Sequence, residues 1–389
     1  MPTLHRHLVL LVTLTAAAAA HAQSSVTLFG VVDTSFTRDG GSIASVSGLG
    51  NGNNASSRLG FRGIEDLGGG LKAGFWLEAG VSSDSGVGST NTSTDNVTAS
   101  TVANSLQFGR RATVSLIGNF GEVRLGRDFT PAYINETYGP FGTTSVGTDV
   151  LLQANLIGQT QFRSSNGIHY FTPALGGFYG HVHYAFGEQP STPAVTEDNG
   201  NYLGLRLGYK GGPVDVALAW GRLDITRTLP AGLSNDRSVV SLAGSYDLGS
   251  VKLSAEYQRQ QIDNTVNAGF GNGGTASAGR DTESTGFSLG ALIPVGAGQI
   301  KVAYSRIEIE NGHGIGTEPR AAKFAIGYVH NLSKRTALYT SVARLKNANG
   351  TPLGATLTAA AGRVAGISGA STAANTSSTG FEAGLRHSF

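Results

Sequence analysis

The sequence predicts an all-β fold, a sixteen-stranded antiparallel transmembrane β-barrel, and three observations support this prediction. Apolar and polar residues alternate along many segments, and short glycine- or asparagine-containing turns alternate with long polar loops. In addition, no segment contains the roughly 20 consecutive apolar residues that a membrane-spanning helix needs. The 389 residues include 57 glycines and no cysteine, which excludes disulfide scaffolds and thiolate metal sites.

The N-terminal segment has the pattern of a secretory signal peptide. Arg6 precedes an apolar run over residues 8–20, and Ala20-His21-Ala22 forms a small-x-small cleavage site. We therefore expect residues 1–22 to be a signal peptide and residues 23–389 to be one barrel domain.

Strands are predicted by strict alternation of apolar and polar residues. In residues 251–258, the odd positions are Val, Leu, Ala and Tyr, while the even positions are Lys, Ser, Glu and Gln. The same alternation appears in residues 203–209, 323–328 and 381–389. Such segments form strands with one apolar and one polar face. Alternation alone does not separate a soluble sandwich from a membrane barrel, so the connections must decide.

The connections alternate between two lengths. Seven are short and lie near residues 65–70, 118–121, 173–177, 210–213, 247–250, 294–298 and 331–335. Eight are long and polar and lie near residues 38–55, 80–104, 130–160, 188–200, 225–236, 263–281, 310–320 and 347–378. Fifteen connections join sixteen strands, with both ends of the barrel domain at the rim of short turns. An even strand number with short periplasmic turns and long extracellular loops is typical of an outer-membrane barrel.

Four motifs resemble one known family. They are SVTLFGVVD at residues 25–33, SRLGFRGIEDLGGGLKAGF at 57–75, GEVRLGRDF at 121–129 and GLRHSF at 384–389. Together they resemble the trimeric general diffusion porins of Gram-negative bacteria, most closely the betaproteobacterial type. The resemblance implies a homotrimer in the cell outer membrane, a third extracellular loop, about residues 130–160, folded into the lumen, and arginines on the facing wall.

The resemblance also implies the function and the partners. We expect a water-filled channel for passive diffusion of small hydrophilic solutes and ions, surrounded by outer-membrane lipid and lipopolysaccharide. The C-terminal Phe389 resembles the signal that the outer-membrane assembly machinery reads. The formal net charge of only +2 gives no reason to expect a nucleic-acid partner.

The expected constriction has a basic wall. Arg58 and Arg163 match the arginine positions of the family. On the fourth strand, the family pattern places Arg110 in the lumen. The alternation of the apolar residues that follow predicts instead that Arg111 faces the lumen. Because neighbours on a strand point to opposite faces, the sequence leaves open which of the two arginines lines the channel. Further charges with lumen parity are Arg62, Lys72 and Arg124.

The expected constriction loop carries the opposite charge. Residues 130–160 contain Glu136 and Asp149 and no Lys or Arg. An acidic loop facing a basic wall would set up a transverse field, and more arginines than carboxylates would give a mild anion preference. The acidic Pro-Glu-Phe-Gly-Gly element of the family is replaced by Tyr-Gly-Pro-Phe-Gly-Thr at residues 138–143, which leaves the identity of the loop carboxylate open.

Other functions have weaker support. No motif points to an enzyme, and we expect no catalytic residue and no cofactor. His181 and His183 share one strand face, a geometry that can bind zinc or copper, but no third ligand follows at a suggestive spacing, so they are interpreted as polar pore lining. The alternatives are a substrate-specific channel, which should show an aromatic track, and a surface adhesin, which should show short repeats. Neither feature is evident.

Overall fold

The chain forms a closed β-barrel in the computed structural model. The structure describes residues 25–42, 44–88, 91–93, 96, 99–101, 106–154, 162–189, 198–225, 236–263, 281–311, 318–349 and 376–389. The predicted signal peptide, residues 1–22, lies outside these ranges. Within them, no helix is both long and apolar enough to cross a membrane.

The barrel wall has sixteen antiparallel strands, which confirms the predicted number. Its first half contains β1 (Ser25–Gly40), β2 (Ser45–Asn51), β3 (Arg58–Gly68), β4 (Leu71–Gly80), β7 (Arg111–Gly118), β8 (Gly121–Phe129), β9 (Arg163–Phe171) and β10 (Phe178–Ala185). The rest contains β11 (Tyr202–Gly211), β12 (Val214–Leu223), β13 (Arg237–Asp247), β14 (Lys252–Ile262), β15 (Thr282–Val295), β16 (Gly298–Asn311), β17 (Arg320–Asn331), β18 (Thr336–Ala348) and β19 (Ser377–Ser388).

Two of these segments share one place in the wall. β1 pairs with β2 along its second half and with β3 along its first half, so β2 and β3 together form a single barrel strand interrupted at residues 52–57. The short hairpin β5 (Asn91–Ser93) and β6 (Ala99–Thr101) lies in the loop after β4 and forms a separate two-stranded sheet within the described part of the chain.

The barrel closes between its first and last strands. β1 pairs with β19, and Gly30 and Phe389 exchange two backbone hydrogen bonds of 3.1 Å each. A side chain at position 30 would overlap the ring of Phe389, so glycine is needed for this approach. Phe389 thus closes the barrel against its first strand.

Side-chain alternation gives the wall two different faces. On β11 the exposed residues Leu203, Leu205 and Leu207 alternate with buried Gly204 and Arg206. The exposed apolar residues form the outer, lipid-facing surface, and the residues that alternate with them face the lumen.

The third long loop lies inside the barrel. Its described part contains α1 (Pro131–Asn135), a 3₁₀ turn (Glu136–Tyr138) and α2 (Val150–Ala154). α1 packs against β10–β13, and α2 packs against β15–β17. The apolar core sits where this loop meets the wall, for example where Val150 packs with Ile307 and Ile309.

Candidate channel constriction

Four predicted arginines lie near the long-loop ends of neighbouring strands. Arg58 begins β3, Arg111 begins β7 with Arg110 just before it, and Arg163 begins β9. Pairing through β4 and β8 places these strands side by side in the wall. We call Arg58, Arg110, Arg111 and Arg163 the basic wall.

Both Arg110 and Arg111 direct their side chains to the inner face. Nε of Arg110 lies 2.5 Å from Oε1 of Glu78, and Nε of Arg111 lies 3.3 Å from Oδ2 of Asp128. Opposite orientation of neighbours applies within a strand, but Arg110 occupies a bend before β7 begins. The sequence leaves open which of the two arginines faces the lumen, and in the structure both of them do.

Carboxylates within the wall itself partly neutralise these arginines. Glu78 on β4 contacts Arg110 and lies 3.9 Å from Nε of Arg58. Asp128 on β8 contacts Arg111 and accepts a 2.6 Å hydrogen bond from Arg124. Neither Glu78 nor Asp128 was predicted from the sequence. Glu78 could have been found because it alternates with the lipid-facing residues of its strand, and Asp128 because it belongs to the GEVRLGRDF motif.

Aromatic rings position the guanidinium groups. The Cζ atom of Arg111 lies 4.5 Å from the ring centre of Trp76, and that of Arg163 lies 4.2 Å from the ring of Phe129. Stacking on a ring face favours the cation and limits the rotamers of a long side chain. The side chains stay partly exposed, at 29% for Arg58 and 18% for Arg110 and Arg111.

The three further predicted cations differ in their contacts. Arg62 lies 5.0 Å above the Trp76 ring, and Arg124 bonds to Glu122 as well as to Asp128. Lys72 is exposed near the rim of short turns. Arg124 shares Asp128 with Arg111, and Arg62 shares the Trp76 ring with it, so both lie next to the basic wall.

The two predicted loop carboxylates are buried against the wall. Glu136 is 1% exposed and accepts a 2.5 Å hydrogen bond from Nε2 of Gln258, while Asp149 is 5% exposed and accepts from the backbone N–H of Leu152 at 3.1 Å. Burial raises the pKa of the Asp149 carboxyl, against the opposing effects of Leu152 and Lys323. The expectation of an acidic loop surface across an aqueous gap therefore needs correction, because these carboxylates fix the loop instead.

We call the contact formed by Glu136, Asp149, Glu256 and Gln258 the loop anchor. One oxygen from each of its three carboxylates lies within 4.8 Å of the others, and Glu256 is 5% exposed. In the middle of the loop, between Glu136 and Asp149, Glu382 on β19 accepts hydrogen bonds from Ser145 Oγ at 2.5 Å and from Val146 N–H at 3.0 Å. Acidic groups thus hold the loop at more than one point.

Cations that the sequence analysis did not select also hold the loop. Arg206 on β11 donates from Nε to Asn135 Oδ1 at 2.8 Å and from an Nη atom to the Tyr138 hydroxyl at 3.0 Å. Nζ of Lys301 lies 5.8 Å from the ring centre of Phe141 in the loop and also donates to Oδ1 of Asn54, between β2 and β3, at 3.0 Å. The alternation of residues along their strands could have identified Arg206 and Lys301 as lumen-facing. Their contacts with the loop, however, depend on the path that the loop takes through the barrel.

Among the described residues, two clusters contain three potential metal ligands each. One is the trio of carboxylates in the loop anchor, and the other comprises His169, His181 and His183. The expected pair of histidines therefore has a third partner on a neighbouring strand.

Comparisons with known proteins agree with this geometry. The family described as Gram-negative porin matches residues 8–350. Outer membrane porin protein 32 of Delftia acidovorans is 37% identical over 392 residues, covering 99% of each chain. An outer membrane porin protein of Bordetella pertussis is 29% identical over 374 residues, covering 85% of this chain and 91% of its own. The solved structure of an anion-selective porin from Comamonas acidovorans matches with a TM-score of 0.77 at 36% identity, covering 94% of this chain and 100% of the other.

Proposed function

The chain belongs to the Gram-negative porin family, and from that premise we propose that its basic wall makes the channel anion-selective. The family places the barrel in the outer membrane, where it forms a water-filled channel. Small hydrophilic solutes and ions cross it by passive diffusion, without a catalytic step.

The observation that supports anion selectivity is an imbalance of exposed charge. Arg58, Arg110, Arg111 and Arg163 are opposed within the wall by Glu78 and Asp128, whereas the loop carboxylates are buried away from the lumen. Each unit charge is worth about 1 kcal/mol at about 4 Å in water, and salt weakens it further. A net excess of arginines therefore gives a modest, salt-dependent preference for anions.

A double substitution tests this proposal. Arg58→Ala with Arg163→Ala should lower the ratio of anion to cation permeability at low salt and slightly raise the single-channel conductance. Reversal potentials in a KCl gradient across a planar bilayer measure the ratio. The matched control is Arg259→Ala with Arg344→Ala, which removes two exposed arginines that share the parity of the lipid-facing Tyr257 and Val342. An unchanged reversal potential in the wall variant would refute the role of these arginines.

We further propose that the protein is a homotrimer. The family resemblance supports a trimer, and the exposed apolar parity of the wall offers surface for lipid, lipopolysaccharide and neighbouring subunits. Light scattering in mild detergent should give the mass of three chains. A monomer under these conditions would refute the trimer.

Assembly is proposed to depend on Phe389. This residue pairs with Gly30 at the closure of the barrel, and its side chain is 44% exposed. Deleting Phe389 should reduce assembled protein in the outer membrane more than it reduces synthesis, as measured by fractionation and pulse labelling. Equal membrane levels would contradict a role as an assembly signal.

A further inference from the structure

Three histidines meet on the inner face of two adjacent strands. His169 on β9 pairs in register with His183 on β10, and His181 lies two residues before His183 on the same face. All three side chains are buried, at 0%, 2% and 0% exposure for His169, His181 and His183. The ring centres of His169 and His183 are 3.7 Å apart, and Nδ1 of His169 lies 3.2 Å from Nε2 of His181.

Hydrogen bonds use only part of the capacity of these rings. Beside the contact between His169 and His181, Nε2 of His183 lies 2.8 Å from Ser164 Oγ. The Nδ1 atoms of His181 and His183 are buried and have no hydrogen-bond partner among the described residues. A buried polar atom without a partner has lost its hydration and gained no hydrogen bond in return, so this cluster is unfavourable as packing alone.

A glycine leaves space between two of the imidazoles. A Cβ atom at Gly167 would lie 2.8 Å from Nε2 of both His169 and His183, and 3.0 Å from the carbonyl oxygen of Gly126. Each histidine of the trio offers one ring nitrogen within 4.8 Å of the others. The lone pairs of stacked imidazoles point along nearly parallel ring planes, so the rings must rotate out of the stack to converge on one metal ion at about 2.0–2.1 Å.

We propose that His169, His181 and His183 form a binding site for a transition-metal ion that prefers imidazole ligands, with Cu²⁺ and Zn²⁺ as its best occupants. Neutral imidazole favours these ions over Mg²⁺ or Ca²⁺, which prefer oxygen. Ser164 or a water molecule can complete a four-coordinate shell. The charged groups near the trio are Asp128, which favours a cation, and Arg111, Arg124 and Arg206, which oppose it.

The experiment uses the untagged, full-length barrel in detergent after treatment with a chelator. Isothermal titration with CuCl₂ or ZnCl₂ should show one ion bound per chain, whereas MgCl₂ and CaCl₂ should give no heat from this site. His169→Gln and His183→Gln should each abolish that binding. The matched control is His387→Gln, which removes an exposed histidine of β19 and should leave the stoichiometry at one.

Two further measurements keep the proposal testable if a histidine variant does not fold. Electron paramagnetic resonance of the Cu²⁺-loaded wild type should show coupling to two or three nitrogen nuclei. Gly167→Ala retains every histidine and places a methyl group against both Nε2 atoms, so it should weaken binding at least tenfold. Binding that survives in His169→Gln and His183→Gln, or a copper spectrum without multiple nitrogen couplings, would overturn the site.

Discussion

The basic wall and the loop anchor carry opposite charges and differ in burial. Arg58, Arg110 and Arg111 keep 18–29% of their side chains exposed to the lumen. Glu136 and Asp149 are at most 5% exposed and bond to groups of the wall or of their own loop. We therefore propose that the wall charges act on solutes, while the loop charges act on the structure.

This difference shows why the charge of a residue does not by itself define its role in a channel. A charge next to water in the lumen attracts or repels passing ions with a strength set by salt. A carboxylate packed between a loop and a strand has lost its hydration, so its energy depends on local hydrogen bonds and neighbouring charges. The effects of substitutions in the wall should consequently be measured as ion selectivity, and those of substitutions in the loop anchor as stability.

The largest effect is expected for Arg110→Gln combined with Arg111→Gln. Their loss leaves Glu78 and Asp128 with fewer cationic partners, so the wall loses most of its positive excess. Since each charge is worth about 1 kcal/mol, or about fivefold, at about 4 Å in water, the anion-to-cation permeability ratio should fall several-fold at low salt. Reversal potentials at 0.1 M salt measure this, and the effect should shrink at about 1 M salt, where the Debye length is about 3 Å. No change at low salt would remove both residues from the selectivity mechanism.

For Glu78→Gln we expect a smaller change in the anion-to-cation permeability ratio, and in the opposite direction. This carboxylate neutralises Arg110 directly and lies near Arg58. Without its charge, the anion-to-cation permeability ratio should rise by about twofold, less than the full value of one charge because water and salt screen the pair. The same bilayer measurement applies, and a fall in the ratio would contradict the assignment of Glu78 to the wall.

The matched substitution in the loop anchor is Glu136→Gln. It removes the same charge by the same atom replacement, but from a buried position that still offers an amide oxygen to Gln258. Selectivity should stay within the error of the wild type, while the temperature at which the folded oligomer dissociates in detergent should stay equal or rise, because like-charge repulsion from Glu256 is removed. A shift in reversal potential as large as that of Glu78→Gln would abolish the distinction between the two regions.

The smallest expected effect is a change in the pH dependence of stability when Asp149 is replaced. Burial raises the pKa of this carboxyl above its ordinary value of about 3.9, so the folded state binds a proton more tightly than the unfolded state does. Its contribution to stability should therefore increase as pH falls from above the folded pKa toward about 3.9. Asp149→Asn should flatten this part of the stability profile measured by heat dissociation between pH 4 and 8. An unchanged profile would show that other groups cause it.

One region shows where local pattern failed to predict the strands. Residues 38–55 are rich in Gly, Ser and Asn and were expected to form a long loop, yet β1 extends to Gly40 and β2 begins at Ser45. The buried side chains of Thr37 and Asp39 show that polar residues line the inner face of this extension. Strand pairing depends on backbone hydrogen bonds, so it can continue beyond the membrane without an apolar face.

The sequence by itself determined the strand number and the two faces of the wall, and it predicted which arginines line the lumen. These features depend on turn spacing and on the two-residue period of a strand, which are local properties of the chain. The tertiary structure alone decided that Glu78 and Asp128 neutralise the wall, that Glu136 and Asp149 are buried in the loop anchor, and that His169 joins His181 and His183. Each of these contacts depends on strand register or on the path of a loop across the lumen, and both bring together residues that no local pattern connects.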